Sequence, residues 1–273
     1  MKNKKIKVGL VGCGTIGSAI AEAVDKGFKN RASLVAISDC DAGKAAFLRR
    51  RLKKKPAIVA IDKLIKSSDL VIEAASAKIS GQVAKKALLR KKDVIIMSVG
   101  GVVKNHAALF NLARKAQCKI YLPSGAICGL DGVKSASVGK IYKAELTTRK
   151  RPAALAGAPF IEKNKIDLTK IKSEKVIFNG SAEEAIAGFP KNINVSCALS
   201  LAGIGPQRTK VRIIVSPNYT KNIHEIEVEG EFGKLITKTE NVPSPYNPKT
   251  SHLAVLSAIK TLRQALDPVK IGT

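Results

Sequence analysis

The sequence predicts an α/β protein in two parts, a doubly wound parallel sheet followed by a second α+β domain with a mixed or antiparallel sheet. Three observations lead there. Short β-branched apolar runs alternate with helical stretches as far as residue 122, and a glycine turn joins the first run to the first helix. After Pro123 the rhythm changes, and three strand-like runs follow one another with no helix between them. Continuous apolar strands alternating with helices imply a parallel sheet covered on both faces. Consecutive strands imply antiparallel or mixed pairing, and so a separate layer. The expected domains are residues 1–122 and 123–246, with a terminal helix in 247–273 packing back on the first.

The elements follow in order. Ile6 to Val11 is an apolar strand interrupted by Lys7 and Gly9, and Thr15 to Val24 is a helix with Ile16, Ala19, Ile20 and Ala23 at helical spacing. Strands are expected at Leu34 to Ser38, Ala57 to Ile61, Leu70 to Ala74, Val94 to Val99 and Lys119 to Leu122. Helices are expected at Lys44 to Lys54, Asp62 to Lys66, Ser80 to Leu89 and Lys104 to Ala116. In the second part, Ile141 to Thr148 and Lys175 to Phe178 read as strands. A helix runs from near Ser181 to Gly188, and another from Ile193 to Ala202. The three successive strands are Val211 to Ser216, Ile223 to Glu229 and Gly233 to Thr239. Thr250 to Leu266 closes the chain as an amphipathic helix.

Composition narrows the class. With 45% hydrophobic residues over 273 positions, the chain can bury a sizeable core. No apolar run reaches the roughly 18 residues that span a bilayer, and a glycine turn follows the first apolar run where a secretory signal would carry its cleavage site. A cytoplasmic protein is expected. The five cysteines (Cys13, Cys40, Cys118, Cys128 and Cys197) form no Cys-x-x-Cys pair, so neither a disulfide framework nor a metal site is expected, and most should be buried thiols. The net charge of +27 invites a nucleic-acid reading, but the excess is spread along the chain. Its one dense run, Arg49, Arg50, Arg51, Lys53, Lys54 and Lys55, reads as a solvated helix face.

Gly12-Cys13-Gly14-Thr15-Ile16-Gly17 follows a strand and opens a helix, the context that makes it a dinucleotide fingerprint of the Rossmann kind. Gly12 permits the tight turn and Gly14 a close approach of backbone to pyrophosphate. Gly17 permits close packing, and the N–H groups of Thr15 and Ile16 sit at the helix start, where an anion is favoured. Asp39 closes the second strand, where an acid holds ribose hydroxyls. NAD or NADP is therefore the expected cofactor. Asp39 favours NAD, because its charge repels a 2′-phosphate. Ala74-Ala75-Ser76 and Ser98-Val99-Gly100-Gly101 end two further strands with small residues that leave room for ribose and nicotinamide.

A proton carrier near neutral pH is usually a histidine, and there are three. His106 starts a helix and reads as a surface or capping residue. His252 lies beside the Asn247-Pro248-Lys249-Thr250 turn and is uncommitted. In the strand from Ile223 to Glu229, His224 shares one face with Ile226 and Val228, opposite Glu225, Glu227 and Glu229. His224 thus points to a core or to a cleft, and the pattern allows both. Cys128, in the glycine-rich loop Ser124 to Gly132, is an alternative nucleophile or a thiol filling a turn.

Several segments together resemble the L-aspartate dehydrogenase family. They are Val8 to Gly17, Ser124-Gly125-Ala126-Ile127, Gly129-Leu130-Asp131 and Thr147-Thr148-Arg149-Lys150. They continue with Phe189-Pro190-Lys191-Asn192-Ile193-Asn194-Val195, His224 to Gly230 and Asn247-Pro248-Lys249-Thr250-Ser251, in family order over nearly the whole chain. The resemblance implies oxidative deamination of L-aspartate, via iminoaspartate, to oxaloacetate and ammonia with NAD or NADP, in a homodimer that can feed NAD biosynthesis. It makes His224 the catalytic histidine, with Ala126 meeting the cofactor through its backbone amide and Asn192 through its side chain. A dianionic substrate needs cations, and Arg149, Lys150 and Lys191 are candidates. Cys128 stands where the family has a small, glycine-like residue. Two other readings stay open: an acylating aldehyde dehydrogenase using Cys128, and an NAD-sensing nucleic-acid binder using Arg49 to Lys55.

Overall fold

A computed structural model describes residues 5–190, 193–245 and 247–272. The chain divides into two compact units, residues 1–123 with 255–270, and residues 124–254 with 271–273.

In the first unit, β1 (Ile6–Val11), β2 (Ala32–Ser38), β3 (Ala57–Ile58), β4 (Leu70–Glu73), β5 (Asp93–Ile96) and β6 (Ile120–Tyr121) form one sheet in the order β3-β2-β1-β4-β5-β6, parallel throughout. The order reverses between β1 and β4. The connecting helices are α1 (Thr15–Glu22), α2 (Ala42–Arg51), α3 (Ile61–Ser67), α4 (Ala77–Leu89) and α5 (His106–Ala116). One face of the sheet packs Val8, Leu10, Leu34, Leu70, Ile72 and Ile95 against Ile20 and Ala21 of α1 and Ala45 and Leu48 of α2. The glycine that interrupts β1 has a reason on the opposite face. A Cβ on Gly9 would lie 2.5 Å from Leu64 Cδ2 and 2.2 Å from Ser68 Oγ, so its absence lets α3 settle on the strand.

Several boundaries differ from the sequence expectation. The α-helix after the glycine turn ends at Glu22 and passes into a π-turn at Ala23–Gly27, whose buried Asp25 accepts the N–H groups of Lys53 and Lys54. β3 stops at Ile58, and Ile61 already belongs to α3. The strand expected to reach Val99 stops at Ile96, because Val99–Gly101 turns as a 3₁₀ helix.

The second unit holds α6 (Leu130–Ala136), β7 (Ile141–Lys150), α7 (Pro159–Lys163), β8 (Lys175–Ser181), α8 (Ala182–Gly188), α9 (Asn194–Ala202), β9 (Lys210–Val215), β10 (Asn222–Gly230) and β11 (Gly233–Asn241). Its sheet has the order β11-β10-β7-β9-β8 and is mixed, since β7 and β9 run parallel and the other neighbours antiparallel. Ala144, Leu146, Ile226 and Val228 on one face meet Val133 and Ala136 of α6 and Val195 and Leu199 of α9. Phe160, Phe178 and Phe189 form a second knot, with ring centroids 5.2–5.5 Å apart. α6 begins at Leu130 within the segment read as a glycine-rich loop and runs past its end to Ala136. A short strand pair, β12 (Pro243–Ser244) and β13 (Asn247–Ser251), precedes the terminal helix α10 (His252–Leu266). Helix therefore begins at His252 and not at Thr250, and Ala258 and Leu262 of α10 are part of the first unit's core.

Ser181 caps α8 in a reciprocal capping box: its Oγ accepts from Glu184 N, and the Glu184 carboxylate accepts from Ser181 N. Replacing Ser181 by alanine should lower stability by about 1 kcal/mol, read as a shift of the denaturation midpoint with unchanged slope.

Candidate functional site

The phosphate end is built from backbone. Gly12 has φ +99°, and a Cβ there would meet the Ala74 carbonyl at 2.5 Å, so no other residue fits. A Cβ on Gly17 would lie 2.0 Å from Gly12 O, which fixes glycine where α1 presses on the turn. Around Gly14, by contrast, a Cβ would meet nothing within 4 Å. That side of the backbone is open, as an approaching pyrophosphate requires, and Thr15 and Ile16 form the first helical residues beside it.

Asp39 follows β2 and ties the turn to it. Its Oδ2 accepts from Cys13 N at 2.6 Å and its Oδ1 from Asp41 N at 2.8 Å. Burial alone would raise its carboxyl. The Cys13 and Asp41 bonds, the Cys40 thiol and the Lys44 charge outweigh this and hold it below the usual value. Asp39 is therefore an ionised acceptor, with lone pairs left for ribose hydroxyls. These residues fit a dinucleotide.

The second unit gathers a polar group on its packed sheet face. His224 is buried on β10, directly across from Thr148 of β7, and its Nδ1 lies 3.0 Å from Thr148 Oγ1. Whichever atom carries the shared hydrogen, Nε2 is the ring nitrogen left for another partner. Burial first, then the nearby Lys150 charge, pushes His224 down to about 3, so the free imidazole is neutral. Lys150 is two residues beyond Thr148 and so on the same face. It is buried, and among the described residues no carboxylate lies within ion-pair distance of it. Burial pushes its ammonium down to about 8.

Alternation sends Arg149 to the other face, where it pairs with Glu225 at 3.3 Å. The structure does not bring it to His224. That outer face is a charge lattice, in which Glu227 meets both Lys143 and Lys234 at 2.9 Å. Ala126 lies in the loop before α6, and its carbonyl accepts from Thr239 Oγ1 at 2.9 Å and Asn241 Nδ2 at 3.0 Å. Thr239 is paired with His224 on β11, so the loop is anchored beside the histidine. Lys191 and Asn192 lie outside the described residues. Sequence reasoning assigned no role to Thr148, Thr239 or Asn241. Only strand register could have picked them out.

Other candidates resolve differently. The expectation of mostly buried thiols is corrected: Cys13 and Cys197 are buried, Cys118 is partly so, and Cys40 and Cys128 are exposed. Burial pushes both buried thiols up to about 12, so neither is a nucleophile. Cys128 is held through its carbonyl by Thr237 Oγ1 at 3.3 Å, and among the described residues no hydrogen bond joins it to a histidine. His106 Nδ1 sits 2.6 Å from Val103 O and the ring stacks edge-on with Phe110, a local packing role. His252 Nδ1 is buried without a hydrogen-bond partner among the described residues. Half of the basic run is structural: Arg51 pairs with Glu22 at 2.6 Å, Arg49 donates to Pro56 O, and Lys55 donates to Arg50 O and Leu52 O. Among the described residues, no helix is long and apolar enough to cross a membrane.

Two family models match consecutive parts of the chain. Residues 12–123 match the family model described as homoserine dehydrogenase, NAD binding domain, and residues 131–265 match aspartate dehydrogenase, C-terminal. The L-aspartate dehydrogenase of Methanosarcina barkeri is 50% identical over 98% of this chain and 100% of its own, and that of Methanosarcina mazei is 48% identical over the same shares. The aspartate dehydrogenase structure from Thermotoga maritima superposes with a TM-score of 0.76 at 24% identity, covering 98% of this chain and all of that one, a likeness of fold. A nucleotide turn of this geometry, in a segment that matches an NAD-binding domain, makes the first unit a pyridine-nucleotide binder. Taken with near-half identity along the full chain, it follows that this protein belongs to the L-aspartate dehydrogenase family of amino-acid oxidoreductases.

Proposed function

We propose that the protein oxidatively deaminates L-aspartate, through iminoaspartate, to oxaloacetate and ammonia, with NAD preferred over NADP. The observation that carries this reading is the grouping, on one sheet face, of a buried neutral His224, its Thr148 partner and the buried cation Lys150, which has no carboxylate partner among the described residues. A buried ammonium without a carboxylate partner is costly. An anionic substrate supplies what the fold withholds, and L-aspartate carries two carboxylates.

The nicotinamide, when bound, supplies the hydride acceptor. The chain's residues bind and move protons. Lys150 holds one substrate carboxylate. Loss of the Cα hydride and of one amine proton yields iminoaspartate, to which water adds before ammonia leaves. His224 takes the water's protons through Nε2 in turn, one as the water adds and one as the carbonyl forms, and passes them to the departing nitrogen, while Thr148 keeps the ring in one orientation. Negative charge from the substrate raises the histidine from its low free-enzyme value towards the working range. Ala126 through its backbone amide and Asn192 through its side chain contact the cofactor in this reading, and Lys191 is a second cation for the substrate.

Asp39 supports the choice of NAD, since an ionised carboxylate accepts ribose hydroxyls and repels a 2′-phosphate. Asp39→Ser should raise KM for NAD and narrow the preference over NADP, measured as the ratio of the two kcat/KM values. The family's homodimer extends to this chain as part of the proposal. The sheet face opposite His224 exposes Ile236 and Val176 and offers surface for association, which sedimentation would read directly. The link to NAD biosynthesis follows if iminoaspartate is withdrawn before hydrolysis.

The decisive experiment is a panel of amino acids with NAD and with NADP, followed at the absorbance of the reduced cofactor. Turnover of L-aspartate above all others is expected. Equal or greater turnover of a monocarboxylic amino acid would overturn the reading.

A further inference from the structure

Glu73 is the last residue of β4 and is wholly buried. Among the described residues no cation lies within ion-pair distance of it, and its four hydrogen-bond partners are all donors. Oε1 accepts from Ala75 N at 2.8 Å, Ser76 N at 3.0 Å and Ser98 Oγ at 2.9 Å. Oε2 accepts from Ser98 N at 3.1 Å. Burial pushes the carboxyl up from its ordinary value, and these four bonds pull it back towards the ionised form.

The donors come from the ends of two adjacent parallel strands, β4 and β5, and from the start of α4. The segments they belong to are interlocked. The Gly12 turn presses on Ala74, with only 2.5 Å to a would-be Cβ, and a Cβ on Gly101 would lie 1.9 Å from Ala77 O. Ser80 Oγ donates to Ser98 O at 2.9 Å. A single carboxylate thus gathers Ala75, Ser76 and Ser98 at the carboxyl ends of the sheet, where ligands of such folds bind. The strand order β3-β2-β1-β4-β5-β6 assigns one mononucleotide to each half. Asp39 marks the β1–β2 half as the adenosine side, so β4 and β5 underlie the nicotinamide side.

We propose that Glu73 is a positioning residue for the nicotinamide half of the cofactor, shaping the loops at 74–76 and 98–101 from beneath without touching the ligand. It rests on the nucleotide reading of the first unit and not on which amino acid is oxidised. A buried carboxylate surrounded only by donors costs desolvation, and an apolar side chain would close the same space without fixing the loops. Glutamine cannot replace it, because its amide group would direct donors at donors.

The test compares the binding of NADH with that of ADP-ribose, which lacks the nicotinamide, by titration calorimetry on the full chain. Glu73→Gln should weaken NADH by about tenfold or more while ADP-ribose stays within about twofold. Ser98→Ala, which removes only the hydroxyl bond, should show a smaller loss with the same selectivity, and it decides the matter if Glu73→Gln does not fold. Equal weakening of both ligands, or unchanged NADH affinity in the folded variants, would overturn the proposal. Failure of the wild-type chain to bind either ligand would overturn the nucleotide reading itself.

Discussion

Replacing His224 by alanine should cut turnover of L-aspartate by about 10²–10⁴-fold, the range associated with removal of a positioned acid–base group. His224→Asn is the sharper variant, because its amide can still meet Thr148 while Nε2 and its proton chemistry are gone. Both variants should lose kcat while NADH binding is retained, since the nucleotide turn belongs to the other unit. Near-wild-type turnover in either would remove His224 from the mechanism. The same residue sets an acid sensitivity. Its pKa is pushed down to about 3 in the folded chain from the ordinary 6.5, so between these pH values the unfolded chain binds more protons. Stability should therefore fall as pH drops from about 6.5 towards 3, by up to about 1.4 kcal/mol per unit from this one group. His224→Asn should flatten that part of the stability profile.

Lys150→Met should do two opposite things. Losing the cation should lower kcat/KM for L-aspartate by a factor equivalent to about 2–5 kcal/mol, the cost of truncating one partner of a buried charge pair. It should also stabilise the free protein at neutral pH. The ammonium is pushed from 10.5 to about 8 by burial, so below pH 8 the folded chain carries the full cost of a buried charge. That cost is on the order of 3 kcal/mol and is relieved as pH rises from about 8 to 10.5, where the unfolded chain binds more protons. In the wild type, kcat/KM should decline above pH 8 as Lys150 loses its proton, and the variant should lack this limb. Thermal midpoints across pH and steady-state kinetics read both effects. A variant both less stable and equally active would show that the lysine is a structural residue.

What was legible in the sequence was local. The strand, the Gly12 to Gly17 turn and the start of α1 are contiguous; Gly12 and Gly17 answer to close contacts with Ala74 and with the turn itself, and Gly14 to the open space beside it. Asp39 was legible for the same reason, as the end of the next strand. α6 was not, because Gly129 and Gly132 flank or interrupt it and its apolar residues join a cluster built largely from the distant β10, β7 and α9. The early end of β5 was hidden because Met97 and Val99 continue the apolar residues of the strand although the chain turns there.

By itself the sequence determined the nucleotide turn and the parallel character of the first sheet, because these depend on spacing along the chain, and its motifs carried the resemblance to the family. It offered Arg149 and Lys150 alike as cations for the substrate, just past a strand expected to end at Thr148. The tertiary structure alone decided which of them shares a face with His224. That choice depends on the register that sets His224 against Thr148, a contact between residues 76 positions apart. Register is fixed by burial of one whole sheet face, a property of the packed unit and of no local segment.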